Sequence, residues 1–366
     1  MKKNIPVASP DIGSKEAIKV FNTVKSGWIS MGSIVRQFEK NICKFTGAKY
    51  AVAMNNGTST LDALLTIFNI KNNDEVIVPS MNYISSANVV MYKKAKLKLC
   101  DVSYKTLNVD YNELIKKISK KTKLIIVTDL KGLPVDYDKI SKLCKLKKIP
   151  IISDSAESFG SEYKKKKIGT QLLAHSFSLF ANKNITTGEG GLITTNNNKI
   201  YKKLLIIRNQ GQTKRYNHVM LGNNYRMTDV QATIGIEQLK KINLILKNKN
   251  KIASYYSSKL INIKGLKIPE LPEYVTQHGW YNYTIRVDPK IRDKLIKHLS
   301  KNGIETRVSF PPVHIQPYYK RIFKFKKNQF PKSFKSYREI IDLPIWSNLK
   351  RKDLDYIISK IKSFFK

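Results

Sequence analysis

Short continuous apolar runs recur through the first half of the chain, at Glu75–Pro79, Leu97–Val102, Leu124–Val127 and Pro150–Ser153. Each is strand-length and none alternates apolar with polar, which is the pattern of strands buried on both faces. Helical segments separate several of them. Asp138–Lys147 is one, and residues 58–69 are another, with Leu61, Leu64, Leu65 and Phe68 at helical spacing. Residues 15–26 place Ile18, Phe21 and Val24 at the same spacing and stop at Gly27, a glycine just past a helix end. This alternation predicts an α/β fold with a wound, mostly parallel sheet and helices on both faces.

The second half reads differently. In Ser176–Thr195, apolar runs flank Thr186-Thr187-Gly188-Glu189-Gly190-Gly191, which predicts two strands joined by a glycine-rich turn. From Thr228 to about Leu260 the pattern is one long helix, with Ile234, Leu239, Ile242 and Ile245 on one side. A smaller α+β stretch follows, closed by Asp353–Phe365, where Leu354, Ile357, Ile358, Ile361 and Phe365 form one face. The expected division is a large domain over 1–245 and a smaller C-terminal α+β domain over 246–366. The N-terminal segment is a candidate to pack with the latter.

Composition changes this picture in one respect. The 366 residues carry a formal charge of +40, from 67 basic and 27 acidic side chains, which points first to nucleic acid. Yet 42% of the chain is hydrophobic and 10% aromatic, enough to build a large core. Only ten of the basic residues are arginine, the usual reader of phosphate and base edges, and the lysines are spread along the whole chain. We read the charge as a lysine-rich solvated surface, with no nucleic-acid partner expected. Cys43, Cys100 and Cys144 are odd in number and far apart, so neither a disulfide framework nor a zinc site is expected. The five histidines form no metal-ligand pair, and no metal is expected. Lys2 and Lys3 precede no apolar signal region, and no apolar run reaches about 18 residues. The expectation is a cytoplasmic protein with no membrane partner.

Three features could carry chemistry. Asp154 ends the apolar run Ile151-Ile152-Ser153, and ligands of open α/β sheets sit outside the carboxyl ends of strands. Taken alone, it also reads as an ordinary helix cap. Asn56-Gly57-Thr58-Ser59-Thr60 opens a helix with a glycine and hydroxyls beside free N–H groups, a phosphate site by dipole and donors, or simply an N-cap. It lacks the spacing and lysine of a nucleoside-triphosphate loop. Lys183 falls between an apolar run and the glycine-rich turn, whereas most lysines lie in polar runs such as Lys164–Lys167. Desolvation there would disfavour its ammonium and leave a nucleophile for carbonyl compounds; alone, it also reads as a solvated turn lysine. Ser178 lies five residues earlier, within reach of a phosphate. Together the three match what pyridoxal phosphate requires: a lysine for the aldehyde, a helix N-terminus for the phosphate, and a carboxylate that keeps the pyridine nitrogen protonated.

The stretch Asp154-Ser155-Ala156-Glu157-Ser158-Phe159-Gly160, followed by Ser178 and by Lys183 through Gly191, resembles the sugar aminotransferases of the DegT/DnrJ type, which are pyridoxal-phosphate enzymes of fold type I. The likeness extends over nearly the whole chain, through Ser26-Gly27-Trp28-Ile29-Ser30, Gly222-Asn223-Asn224-Tyr225-Arg226-Met227-Thr228-Asp229, Gly303-Ile304-Glu305-Thr306-Arg307 and His314-Ile315-Gln316-Pro317. The resemblance implies that Lys183 bonds the cofactor and shuttles protons, and that Asp154 pairs with the pyridine nitrogen. Glu157 would lie near the ring or its phenolic oxygen, and Glu at this position is similar to the perosamine-synthase-like branch. Gly57, Thr58 and Ser178 would hold the phosphate, and Tyr83 would stack on the ring, unless it is a buried strand-end tyrosine. Asn224 would reach the phosphate of a neighbouring subunit, which implies a homodimer with shared active sites. His314 and Arg226 would meet the sugar nucleotide. Asp129 departs from the histidine usual in relatives, which bears on local substrate contacts.

The implied reaction moves an amino group from an amino acid, glutamate by resemblance, to a keto-sugar nucleotide, with a 4-keto-6-deoxyhexose favoured by Glu157. A product for surface polysaccharide or glycan biosynthesis would follow. A dehydratase variant of the fold has histidine in place of the lysine, and Lys183 argues against it. A cyclitol or other keto substrate, or a basic nucleic-acid-binding protein, are the alternatives.

Overall fold

The computed structural model describes residues 4–366, Cys144 through its backbone only. Lys2, Lys3 and the Cys144 thiol therefore lie outside the described residues. Among those described, a seven-stranded sheet runs in the order Tyr50–Met54, Gly191–Thr195, His175–Ser178, Ile151–Asp154, Thr122–Thr128, Glu75–Pro79, Lys96–Cys100. Gly191–Thr195 pairs antiparallel with both of its neighbours, and the remaining pairs are parallel. Glu75–Pro79 spans the predicted run, and the other three lie within two residues of theirs. Ile151–Asp154 is buried along its whole length. A strand covered on both faces has no polar side to show, which is why the inner runs are continuous, whereas the edge strand Lys96–Cys100 alternates, with Lys96 exposed and Lys98 half-buried. Two cores flank the sheet. Phe38, Ile42, Tyr137, Ile140, Phe177 and Leu246 lie in one, and Leu61, Leu64, Leu65, Val89 and Leu204 in the other.

The helix Asp229–Leu260 links this body to a second core. Ile242 and Leu246 pack on the large sheet, whereas Ile252, Ala253, Tyr256 and Leu260 pack among Leu295, Leu299, Ile357 and Ile361. The smaller sheet holds Leu266–Lys267, Tyr283–Val287 and Ile340–Leu343, all antiparallel, and Arg351–Phe364 lays its apolar stripe on that core. Ile5 bridges to Ile304, so the N-terminal segment joins the same unit. Val313, Tyr319 and Phe330, though late in the chain, belong to a core of the large sheet.

Three local expectations need correction. The strands His175–Ser178 and Gly191–Thr195 are joined by a long loop from Leu179 to Gly190, because several of its residues are held by backbone bonds such as Lys183 N–H to Phe180 O at 2.9 Å. On the long helix, Ile242 and Ile245 are buried but Ile234 and Leu239 only partly so. The helix Ser14–Lys25 forms where expected, but Ile18, Phe21 and Val24 are 53–64% exposed. Its buried side is polar: Glu16 accepts from Gln238 and pairs with Lys241 at 2.7 Å, and Thr23 meets Thr233 at 2.8 Å.

Candidate active site

The carboxyl ends of the parallel strands open into a cavity of about 680 Å³. Gly57, Thr58, Tyr83, Asp154, Glu157, Ser178 and Lys183 all line it. No helix follows Asp154, so its role is not a cap. Its chain turns instead, with Oδ1 accepting from Ala156 N–H at 3.2 Å and Oδ2 from the Ser86 hydroxyl at 2.5 Å. Burial raises its pKa.

Lys183 is nearly enclosed, its side chain 11% exposed. Nζ stands 3.7 Å from Glu157 Oε1 and 4.0 Å from the centre of the Tyr281 ring. Burial lowers the lysine pKa, and the carboxylates of Glu157 and Asp154 oppose that shift only in part. Glu157 is raised by its own burial. Its Oε2 accepts from the backbone N–H of Lys131 at 2.7 Å, while Oε1 is buried, makes no hydrogen bond and has the Lys183 amine as its neighbour.

At the other end, Asn56 caps the helix Gly57–Ile67 by accepting from Ser59 N–H at 2.8 Å. The capping reading is thus correct for Asn56, while Gly57 and Thr58 stay on the cavity wall. A Cβ on Gly57 would stand 3.1 Å from Ser178 Cβ, so a side chain there would crowd the space where an anion meets the helix N-terminus. The residues present therefore fit pyridoxal phosphate. The first turn of a helix, with Gly57 and Thr58 on the wall, lies at one end, a buried carboxylate at a strand end, and with them a lysine of lowered basicity beside a carboxylate oxygen that makes no hydrogen bond.

Tyr83 is 57% exposed, not a buried strand-end residue, and its ring meets Phe310 edge-on at 5.4 Å. Three expected residues lie elsewhere in this chain. His314 is fully buried against Phe330, with Nε2 3.1 Å from Lys327 O. Arg226 donates to Asn209 Oδ1 at 2.8 Å, and Asn224 is exposed in a bridge to Asn209. None of the three lines this cavity. Asp129 does not line it either. It is fully buried and accepts from Tyr137, Ser155 and Ser158 hydroxyls at 2.6–2.9 Å and from Val135 N–H at 3.0 Å. Its departure from histidine bears on the packing beneath the site.

Sequence reading assigned no role to Asn182, Tyr281, Asn282, Arg307, Ser309 or Phe310, all of which line the cavity. Asn182 precedes Lys183 in the same loop, and Arg307 lies in the stretch Gly303–Arg307; both had a signal in the sequence. Tyr281, Asn282, Ser309 and Phe310 reach the cavity only through the fold of the C-terminal part.

A strand-end carboxylate, a buried lysine and a phosphate cradle on a wound parallel sheet define a pyridoxal-phosphate-dependent enzyme. The chain belongs to the DegT/DnrJ/EryC1/StrS aminotransferase family, whose sequence profile matches residues 10–362, and it is a sugar aminotransferase that uses this cofactor. It is 37% identical over 321 residues to the GDP-perosamine synthase of Caulobacter vibrioides, covering 86% of each chain. It is 35% identical over 367 residues to that of Escherichia coli O157:H7, covering 99% of each. The PLP-form structure of Spr1654 from Streptococcus pneumoniae matches with a TM-score of 0.94 at 30% identity, over 99% of this chain and 98% of that one. Among the described residues no helix is long and apolar enough to cross a membrane.

Proposed function

We propose that this enzyme transfers the amino group of glutamate to a 4-keto-6-deoxyhexose nucleotide, and that it works as a homodimer with shared active sites. The convergence of Lys183, Asp154 and Glu157 on one cavity carries the chemical part of this reading. The two GDP-perosamine synthases support the substrate class. Bound in the cavity, the cofactor supplies an aldehyde and an electron-withdrawing ring.

The chain's own groups do the rest. Asp154 holds a proton on the ring nitrogen through a carboxylate shielded from water. Lys183 Nζ, released to the free amine, takes the α-proton of the amino donor, which leaves as a 2-keto acid. In the second half the same Nζ delivers a proton to the sugar carbon that receives nitrogen. Burial favours this, because it disfavours the ammonium, whereas a solvated lysine holds its proton more firmly. Glu157 Oε1 holds a proton or a charge 3.7 Å from that nitrogen and steadies it in both halves.

Two observations favour the dimer. Ile18, Phe21 and Val24 are exposed on one helix, and Trp28 and Ile29 just beyond its end are exposed too, the kind of apolar surface that interfaces cover. Asn224 is exposed and does not line the cavity of its own chain, which fits a residue that serves a neighbour's site. The test is a screen of keto-sugar nucleotides with glutamate, reading 2-ketoglutarate, run beside sedimentation of the wild type. Turnover with a 4-keto-6-deoxyhexose nucleotide is expected, and is expected to vanish in Lys183→Ala. Turnover only with a cyclitol ketone, or a Lys183→Ala variant of wild-type activity, would overturn the reading. A monomer at micromolar concentration would remove the shared site.

A further inference from the structure

Among the described residues, Lys249 is the most deeply buried cation that the reaction above does not use. It lies on the helix Asp229–Leu260, between the two cores, and is 4% exposed. Its Nζ donates to Asn184 Oδ1 at 2.8 Å. Burial and the nearby Lys183 charge both oppose its protonation, bringing it down to about 7, and no acid offsets them. A lysine held in such a place needs a reason, since a buried amine without an acid is costly to retain.

Its one partner supplies the reason. Asn184 follows Lys183 directly and is itself 6% exposed. Its Nδ2 donates to Phe159 O at 3.1 Å and to Gly279 O at 2.7 Å. Phe159 lies two residues after Glu157, and Gly279 two residues before Tyr281. One amide therefore ties together the three segments that surround the Lys183 amine, whose Nζ stands 3.7 Å from Glu157 Oε1 and 4.0 Å from the Tyr281 ring. The amide can do this in only one orientation, with its NH₂ toward the two carbonyls. A donor on Oδ1 enforces that orientation, and Lys249 is that donor. Without it, Oδ1 would be buried and unpaired, and the flipped amide would set oxygen against oxygen.

We propose that Lys249 is a positioning residue of the active site, which orients Asn184 so that the Lys183 loop, the Glu157 turn and the Tyr281 segment are held in register. This rests on Lys183 being the cofactor lysine. A misplacement of about an ångström at the reacting amine lowers turnover strongly while leaving remote binding contacts intact.

The test compares Lys249→Met, which keeps bulk and loses the donor, with Lys249→Arg, which keeps a donor. The first is expected to lower kcat about tenfold, with KM for both substrates within about twofold, and the second to recover kcat to within about threefold of wild type. An independent readout uses cofactor-free protein. The rate at which an amine-reactive ester acylates Lys183 is followed against pH by mass spectrometry, and Lys249→Met is expected to shift that curve while Lys249→Arg restores it. Should Lys249→Met not fold, Asn184→Asp, which keeps the shape but cannot donate to the two carbonyls, is expected to show the same kcat loss and the same shift. Wild-type kcat with a wild-type acylation curve in Lys249→Met or Asn184→Asp would overturn the proposal, as would Lys249→Arg as impaired as Lys249→Met. Retained activity in Lys183→Ala would instead refute the assignment of Lys183, and the acylation curves would still report on Lys249.

Discussion

Replacing Lys131 by methionine and Asp342 by asparagine, singly and together, tests whether the two units of the fold are locked at the active site. Lys131 sits in the turn after the strand Thr122–Thr128, and its backbone N–H holds Glu157 Oε2. Its side chain crosses to Asp342 on the small sheet, with Nζ 2.8 Å from both carboxylate oxygens. The pair is sealed, with side chains 7% and 0% exposed. Asp342 also accepts from Ser309 N–H at 3.2 Å and from the Thr284 and Ser309 hydroxyls at 2.5 Å. Removing one partner of a sealed pair leaves the other charge buried, at a cost of about 3–5 kcal/mol. Lys131→Met should fall near the low end, because three neutral donors still face Asp342. Asp342→Asn should fall near the high end, because the Lys131 ammonium keeps only neutral acceptors such as Ser309 Oγ at 3.3 Å. The double variant removes both charges, so it should cost no more than the worse single variant, giving a coupling of at least about 3 kcal/mol. Urea unfolding of cofactor-free protein measures this without a ligand contribution. Single effects that add to the double within about 0.5 kcal/mol would refute the lock.

Three further outcomes follow from the same geometry. Asp154→Asn should keep the fold but reduce turnover by at least about a hundredfold, measured as kcat, because a neutral amide cannot hold the ring proton against a low-dielectric surround. Phe21→Asp should weaken self-association, read by sedimentation, since it puts a charge in the centre of the exposed apolar face; unchanged association would place the interface elsewhere. Burial raises the Asp129 pKa above its usual 3.8, so the folded protein keeps that proton longer than the unfolded chain. Stability from this group thus falls as pH rises from about 3.8 through the raised value, and Asp129→Asn should flatten that part of the unfolding-versus-pH curve.

What could be read from the chain depended on whether the cause was local. Glu75–Pro79 declares itself because a doubly covered strand carries apolar residues without interruption. Tyr50–Met54 did not, since two of its five residues are alanines that read equally well as helix. Asp154 and Gly57 could be picked out because one ends a strand and the other opens a helix, and Lys183 because it follows an apolar run instead of lying in a polar lysine run. Tyr281 and Phe310 could not, because only folding brings the segment 280–310 over the large sheet. Lys249 was hidden most completely. It stands in the run Leu246-Lys247-Asn248-Lys249-Asn250-Lys251, whose composition is that of a solvated face, yet 4% of it is exposed.

The +40 charge can therefore be divided by what each lysine faces. Surface pairs such as Lys116 with Glu113 and Lys139 with Asp136, their lysine side chains 69% and 67% exposed, contribute little, because water already satisfies both partners. Three buried lysines differ in kind, and they differ from each other by their counter-charge. Lys131 has two carboxylate oxygens at 2.8 Å and joins the two units. Lys249 has a neutral amide and orients it. Lys183 has a carboxylate that stands off at 3.7 Å, near enough to favour a charge on its nitrogen and too far to bond and hold it. The role proposed for Lys183, to gain and lose a proton in each half of the reaction, needs that intermediate distance. At 2.8 Å the ammonium would be locked, and with no acid nearby the amine would not recover its proton.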